Sequence, residues 1–215
     1  MRIVVLSDIH GDIKKLTAFG KVLKDCDLIA IAGDISKHGD LKEIEYIVKE
    51  IMEINENVLA IPGNMDGKES IKVLEELGVN LHCKKKTINN LDFIGAGGST
   101  KTPFGTPFEL NEEDILNCVE KHISNPEKTI IICHTPPYKT KTDRTIFGFH
   151  VGSRALKSFI EDKQPVAFFC GHIHESANID YSGNTLILNP GPFRRGQIGI
   201  VEIKDGKAEG KLVRK

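Results

Sequence analysis

Five short apolar runs in this 215-residue chain each stop at a residue able to ligate a metal. Ile3 to Leu6 leads into Ser7-Asp8-Ile9-His10, and Leu28 to Ala32 into Gly33-Asp34. Val58 to Ile61 leads into Pro62-Gly63-Asn64, Thr129 to Cys133 into His134, and Val166 to Cys170 into Gly171-His172-Ile173-His174. Continuous apolar runs of this length read as strands buried on both faces. Asp8 and His10 stand two apart, which puts both side chains on one side of an extended backbone. One such strand end is unremarkable as a turn. Five of them, all closing on ligand-type residues, constrain what the chain can fold into.

Amphipathic helical patterns separate the strands of the first half. Asp12 is placed to cap a helix over 13–24 with Leu16, Phe19, Val22 and Leu23 on its buried face. A second helix is predicted over 41–54 and a shorter one over 69–77. This alternation implies a parallel α/β sheet with right-handed crossovers, whose carboxyl edge gathers ligands from distant parts of the sequence. The later text predicts a hairpin turning at Asn89-Asn90, a long Gly97–Leu110 loop of the kind that covers sites, helices over 111–123 and 152–162, and a strand-rich tail turning at Ser182-Gly183-Asn184 and Asp205-Gly206. Gly95-Ala96-Gly97-Gly98 lacks the following helix of a dinucleotide fingerprint, because Pro103 and Pro107 stand there. No repeat or composition break divides the chain, so a single domain over 1–215 is expected.

Composition narrows the function classes. Twenty-nine Lys+Arg against thirty Asp+Glu give a net charge of −1, without the positive field of a nucleic-acid binder. Lys84-Lys85-Lys86 reads as a solvated edge strand. The five cysteines show no CxxC spacing and are expected as free, reduced thiols of a cytoplasmic protein. Cys133 and Cys170, each one residue from a ligand, point by alternation into the core. No signal peptide or membrane-crossing run is evident. The expected partner is a small molecule, with the protein a monomer or homodimer.

Asp8, His10, Asp34, Asn64, His134, His172 and His174 are too many donors for one tetrahedral ion. They suit two ions sharing one carboxylate, held roughly 3.5–4 Å apart so as to clamp both attacking and leaving oxygens of a phosphoryl group. Oxygen and nitrogen donors without thiolate suit Mn, Fe, Zn, Ni or Co, with manganese favoured here.

The series Asp8-Ile9-His10, Gly33-Asp34, Gly63-Asn64, His134 and Gly171-His172-Ile173-His174 resembles the signature of the calcineurin-like metallophosphoesterases, and Leu188-Asn189-Pro190-Gly191 resembles the turn that follows it in small prokaryotic members. The resemblance implies a four-layer α/β sandwich, two mixed β-sheets flanked by helices, in place of one open sheet. It implies one metal on Asp8, His10, Asp34 and His174, and another on Asp34, Asn64, His134 and His172, with Asp34 bridging. It further implies phosphoester hydrolysis by a metal-bridging hydroxide attacking in line with the leaving group, with Asp34, Asn64 and His134 at the catalytic centre.

One position departs from the common pattern. Many members carry a histidine directly after the asparagine, and this chain has Met65. Methionine cannot protonate a leaving oxygen, so phosphodiesters and esters of acidic alcohols are expected to be favoured over alkyl monoesters. His150 and His38 are candidate substitute acids. Asp66 is expected either to orient a ligand histidine or to cap the following helix, and Arg144, Arg194 and Arg195 are candidate phosphate clamps. A phosphomonoesterase, protein phosphatase or nucleotidase of the same fold is the alternative, and a non-catalytic scaffold a lesser one. Substrate choice is expected to lie in the 97–110 and 139–150 loops.

Overall fold

The computed structural model describes all 215 residues. β1 (Arg2–Leu6), β2 (Leu28–Ala32) and β3 (Val58–Ile61) run parallel, and the tail strands β10 (Gln197–Lys204) and β11 (Lys207–Arg214) complete a five-stranded sheet in the order β11-β10-β1-β2-β3. β10 lies antiparallel to β1, with Val4 opposite Ile200. A six-stranded sheet has the order β4-β5-β6-β7-β9-β8, from β4 (Lys85–Ile88), β5 (Leu91–Ala96), β6 (Thr129–Cys133), β7 (Ala167–Phe169), β8 (Asn178–Ser182) and β9 (Thr185–Asn189). Its inner four strands are parallel and its two edges antiparallel. The single open sheet suggested by the first half is therefore replaced by two mixed sheets, because the tail returns to pair with β1.

Period-two alternation explains the layers. Ile3, Val5, Leu28, Ala30, Ala32, Leu59 and Ile61 face Phe93, Ile130, Ile132, Phe169, Leu186 and Leu188 across the space between the sheets. The opposite set, Val4, Leu6, Ile29 and Ile31, packs under α1 (Leu16–Lys24) and α2 (Leu41–Ile54). On the far side Ile94, Ile131, Cys133, Phe168 and Cys170 pack under α4 (Glu112–Glu120) and α5 (Arg154–Lys163). Both cysteines thus lie in the core as expected, and burial pushes the Cys133 thiol up to about 12. Each fully buried Ile or Leu contributes roughly 1.5–3 kcal/mol, so the strands are fixed by this core rather than by propensity.

Helix ends follow local chemistry. Asp40 Oδ1 accepts the N–H groups of Lys42 and Glu43, and Ile44, Ile47, Val48 and Ile51 form the buried stripe of α2. Ser153 caps α5 through Leu156 N–H. α1 starts at Leu16 rather than Ile13, and Asp12 accepts from Lys14 N–H instead of capping it. The reason lies upstream, where Gly11, in the left-handed region at φ 76°, donates to Ile35 O, so this stretch is held as a turn. A third short helix, α3 (Ser70–Glu76), leads toward β4, whose exposed lysines form the solvated edge expected of 84–86.

The expectation of five free thiols is overturned. Cys83 and Cys118 form a disulfide, leaving Cys26, Cys133 and Cys170 free. The two lie 35 residues apart, and only the packing of α4 on the β4–β5 layer brings them together. No helix is long and apolar enough to cross a membrane.

Candidate metal centre

The ligand-type residues leave their strands through turns that interlock. Asp8 N–H donates to Gly33 O and His10 N–H to Asp34 O, both at 3.0 Å, so the turns after β1 and β2 are zipped together. Asp8, His10, Asp34 and His172 all adopt left-handed backbone, at φ 53°, 47°, 53° and 70°. Such conformations are costly for side-chain-bearing residues and persist where surrounding contacts enforce them, commonly at functional sites. Gly171 is pressed against Ser7 and the Asp8 carboxylate so closely that a side chain there has no room. Asn189, the last residue of β9, holds the last loop by donating to Gly171 O and Ile173 O, and the same amide reaches Thr142 O.

All seven residues meet, and they do so between the two sheets rather than along one edge. The five-stranded sheet supplies Asp8, His10, Asp34 and Asn64, and the six-stranded sheet supplies His134, His172 and His174. His174 Nε2 lies 3.1 Å from both Asp8 Oδ1 and His10 Nε2. Asp34 Oδ2 lies 3.4 Å from His134 Nε2 and 3.7 Å from His10 Nε2. His134 Nε2 is 2.9 Å from Asn64 Oδ1, its Nδ1 is 2.7 Å from Ala32 O, and its ring is edge-on to His172 with centroids 5.2 Å apart. A carbonyl oxygen only accepts, so Ala32 fixes a proton on Nδ1, and Nε2 is left facing the Asp34 and Asn64 oxygens, a position that a second proton or a cation must fill.

The electrostatics call for cations. Asp8 and Asp34 are fully buried. Burial opposes their ionisation, yet His174 and His134 hold Asp8, and His134 holds Asp34, below the usual carboxylate range. Burial also opposes charge on His134, but the Asp34 carboxylate overrides it and pushes His134 up to about 9. His172 is driven down to about 4 by burial and by His134 beside it, and His10 is lowered by burial. Asp34 Oδ1 accepts Met65 N–H, whereas Oδ2 has only imidazole nitrogens for neighbours. A buried carboxylate oxygen without a backbone donor, ringed by inward-facing imidazoles, fits divalent cations of borderline softness. Asp8, His10 and His174 converge as one such group, and Asp8, Asp34 and His134 as another.

The other sequence candidates divide. Asp66 neither orients a histidine nor caps a helix. Its buried carboxylate accepts the N–H groups of Ile35, Ser36 and Gly63 and the Ser36 hydroxyl, clasping the turns that carry Asp34 and Asn64. Burial, with the Asp34 charge nearby, pushes it up to about 6. His38 is exposed and bonds to nothing in the centre. Arg144 turns its guanidinium back to Gly148 O, and the Arg195 side chain makes no hydrogen bond to any residue of the centre. Arg194 does reach it, 3.3 Å from His174 Nδ1. His150 is joined at 2.6 Å to Asp143, a buried carboxylate that also accepts from Lys139, Thr140 and Gly152. Asp143 escaped the sequence reading because it lies in a polar loop with no strand or helix to place it.

The calcineurin-like phosphoesterase family model matches residues 1–176, a span that contains every one of the seven residues. The chain belongs to that family. Membership implies metal-dependent phosphoester hydrolysis. Among relatives, the protein MJ1162 of Methanocaldococcus jannaschii is 40% identical over 199 residues, covering 89% of this chain and 88% of its own. UPF0046 protein K07C11.7 of Caenorhabditis elegans is 27% identical over 218 residues, covering 91% of this chain and 71% of its own. Two solved structures share the fold. TT1561 of Thermus thermophilus superposes with a TM-score of 0.78 at 18% identity, covering 99% of each chain. A dimetal phosphatase from Danio rerio gives 0.64 at 11% identity, covering 100% of this chain and 98% of that one.

Within the family fold, the Gly97–Leu110 segment is more than a connector. Gly98 N–H donates to Pro62 O and Phe108 N–H to Asn64 O, so the loop holds the turn that presents Asn64. The 139–150 segment is likewise tied to the site, since Ser176 donates to Arg144 O and Ile146 N–H donates to the carboxylate of Glu175, next to His174.

Proposed function

We propose that this family member is a dinuclear metal-dependent phosphodiesterase acting on small substrates. One ion would sit on Asp8, His10, Asp34 and His174, the other on Asp34, Asn64, His134 and His172. Two divalent ions, manganese foremost, would supply Lewis-acid activation of water and neutralise charge building on the phosphoryl oxygens. The observation carrying this reading is the convergence of the two aspartates with histidines from both sheets in a buried pocket of oxygen and nitrogen donors.

The protein's own groups set the preference among esters. Met65 gives only its backbone N–H to Asp34 and has no proton for a leaving oxygen. Aryl leaving groups depart without protonation, whereas alkoxides need an acid. The side chains of Ile146, Phe147 and Phe149 at the tip of the 139–150 loop are exposed, and an apolar ester group would gain contact there. Arg194 is the arginine placed to meet a phosphoryl oxygen.

A second reading, monoester hydrolysis, draws on one pair. Asp143 holds His150 through Nδ1, which leaves Nε2 available as an acid. The experiment is a comparison of bis(p-nitrophenyl) phosphate with p-nitrophenyl phosphate and a simple alkyl monoester. The diesterase reading expects the aryl diester to be the best substrate by kcat/KM. Alkyl monoesters turned over as fast as the aryl diester would overturn it and favour His150 as acid.

A further inference from the structure

Cys83 lies in the turn between α3 and β4, and Cys118 lies on α4. The segment between them, at a sequence separation of 35, encloses β4, β5 and the whole 97–110 loop. Nothing in phosphoester hydrolysis requires the bond.

His82 stands beside the pair. Its Nδ1 accepts Gly97 N–H at 2.8 Å, and a backbone N–H can only donate, so the neutral ring carries its proton on Nε2. That Nε2 lies 3.4 Å from Cys83 Sγ. The His82 nitrogen and both sulfurs fall within 4.8 Å of one another, a spacing that would also suit a metal. The tautomer decides between the two uses. A metal would need the Nε2 lone pair, which the proton occupies, whereas an Nε2–H is the right donor to steady a Cys83 thiolate. Burial, with Lys121 and Lys68 nearby, pushes His82 down to about 4, so at neutral pH it acts as an N–H dipole.

We propose that Cys83–Cys118 is a reversible thiol–disulfide site whose state sets the order of the 97–110 loop and, through it, the seating of Asn64. The connection is continuous. His82 takes Gly97 N–H at the start of the loop and packs edge-on to Phe108, with centroids 5.4 Å apart, and Phe108 N–H donates to Asn64 O at 3.0 Å. In the forward step a small dithiol, as its thiolate, attacks Cys83 Sγ, the more exposed sulfur. The S–S bond breaks and Cys118 leaves as a thiolate. The reductant's second thiolate then attacks the mixed disulfide and releases Cys83 as a thiolate facing the His82 Nε2–H. The dithiol is oxidised by two electrons to its cyclic disulfide, and its two protons end on the cysteines. Half-buried Cys83 gives the pair its opening to solvent.

The effect on turnover rests on the phosphoesterase reading; the chemistry of the bond and the order of the loop do not. The full chain would be equilibrated natively with dithiothreitol or with its oxidised cyclic form, then alkylated in denaturant and weighed. Two more labels are expected on the reduced protein, against three on the oxidised one for Cys26, Cys133 and Cys170. Amide exchange at Gly97 and Phe108 is expected to quicken about tenfold on reduction and to recover on re-oxidation, with Mn²⁺ affinity weakening by about the same factor. Cys118→Ser should resemble the reduced state in both buffers, and Cys83→Ser serves if that variant fails to fold. Equal label counts in the two buffers would overturn the proposal, as would a bond that opens without changing amide exchange. Responsive amides in a protein inactive in both states would uphold it while defeating the phosphoesterase reading.

Discussion

His134 Nε2 and Asp34 Oδ2 meet at 3.4 Å although their strands belong to different sheets. Their contact is where the sandwich closes over its centre. The proton that Ala32 O fixes on His134 Nδ1 aims Nε2 at Asp34, and the Asn64 amide oxygen lies 2.9 Å from the same nitrogen. Neither sheet alone holds a complete set of donors.

If Asp34 is the shared ligand, Asp34→Asn removes charge from both metal positions while keeping shape. Bound manganese should fall below two per chain, and kcat for an aryl diester should drop at least about a hundredfold. Elemental analysis after gel filtration, beside steady-state rates, checks both.

Asp66→Asn tests a residue with a purely positioning task. The amide would face the N–H groups of Ile35, Ser36 and Gly63 with half its acceptors gone. A loss of about 2–3 kcal/mol in stability is expected, read as a lower urea midpoint with unchanged m. Metal affinity should fall with it, since the turns bearing Asp34 and Asn64 lose their common anchor.

How much of this was legible in the sequence depends on the range over which each signal acts. The strands of the first half and the ligands at their ends could be read because apolar runs and turn residues are local. β2, β3, β5 and β6 match their expected bounds, and so does α2. The sharing of the site between two sheets could not be read locally, since it depends on β10 returning to β1; only the family resemblance supplied it. Asp66 is expected from the sequence to orient a ligand histidine or to cap the helix that follows it, yet its partners Ile35 and Ser36 lie about thirty residues earlier, on a turn that spacing does not reveal. The Cys83–Cys118 pairing and the Asp143–His150 contact were illegible for the same reason: packing and loop shape create them, and spacing carries no trace.

His150→Gln separates the two readings of leaving-group chemistry. Should His150 be an acid, kcat/KM for an alkyl monoester falls by about a hundredfold while an aryl diester stays within about threefold. Asp143→Asn should do the same, because Asp143 fixes the ring. Equal losses on both substrates would mark the pair as structural.

His82 makes a pH prediction independent of catalysis. Its folded-state pKa of about 4 lies below its unfolded value near 6.5, so the unfolded chain takes up the proton first. Its contribution to stability is complete above pH 6.5 and is lost as pH falls toward 4, by about 1.4 kcal/mol per unit. Urea titrations of wild type and His82→Gln should diverge in slope within that window and run parallel above it.

The most direct measurement is hydrolysis of bis(p-nitrophenyl) phosphate by metal-stripped protein as Mn²⁺ is added back, with Asn64→Ala alongside. Turnover that rises as two ions bind, and that falls at least about tenfold in the variant, is the predicted result. Two bound ions with no turnover of this or any other simple phosphoester, or turnover indifferent to metal and to Asn64, would contradict the account.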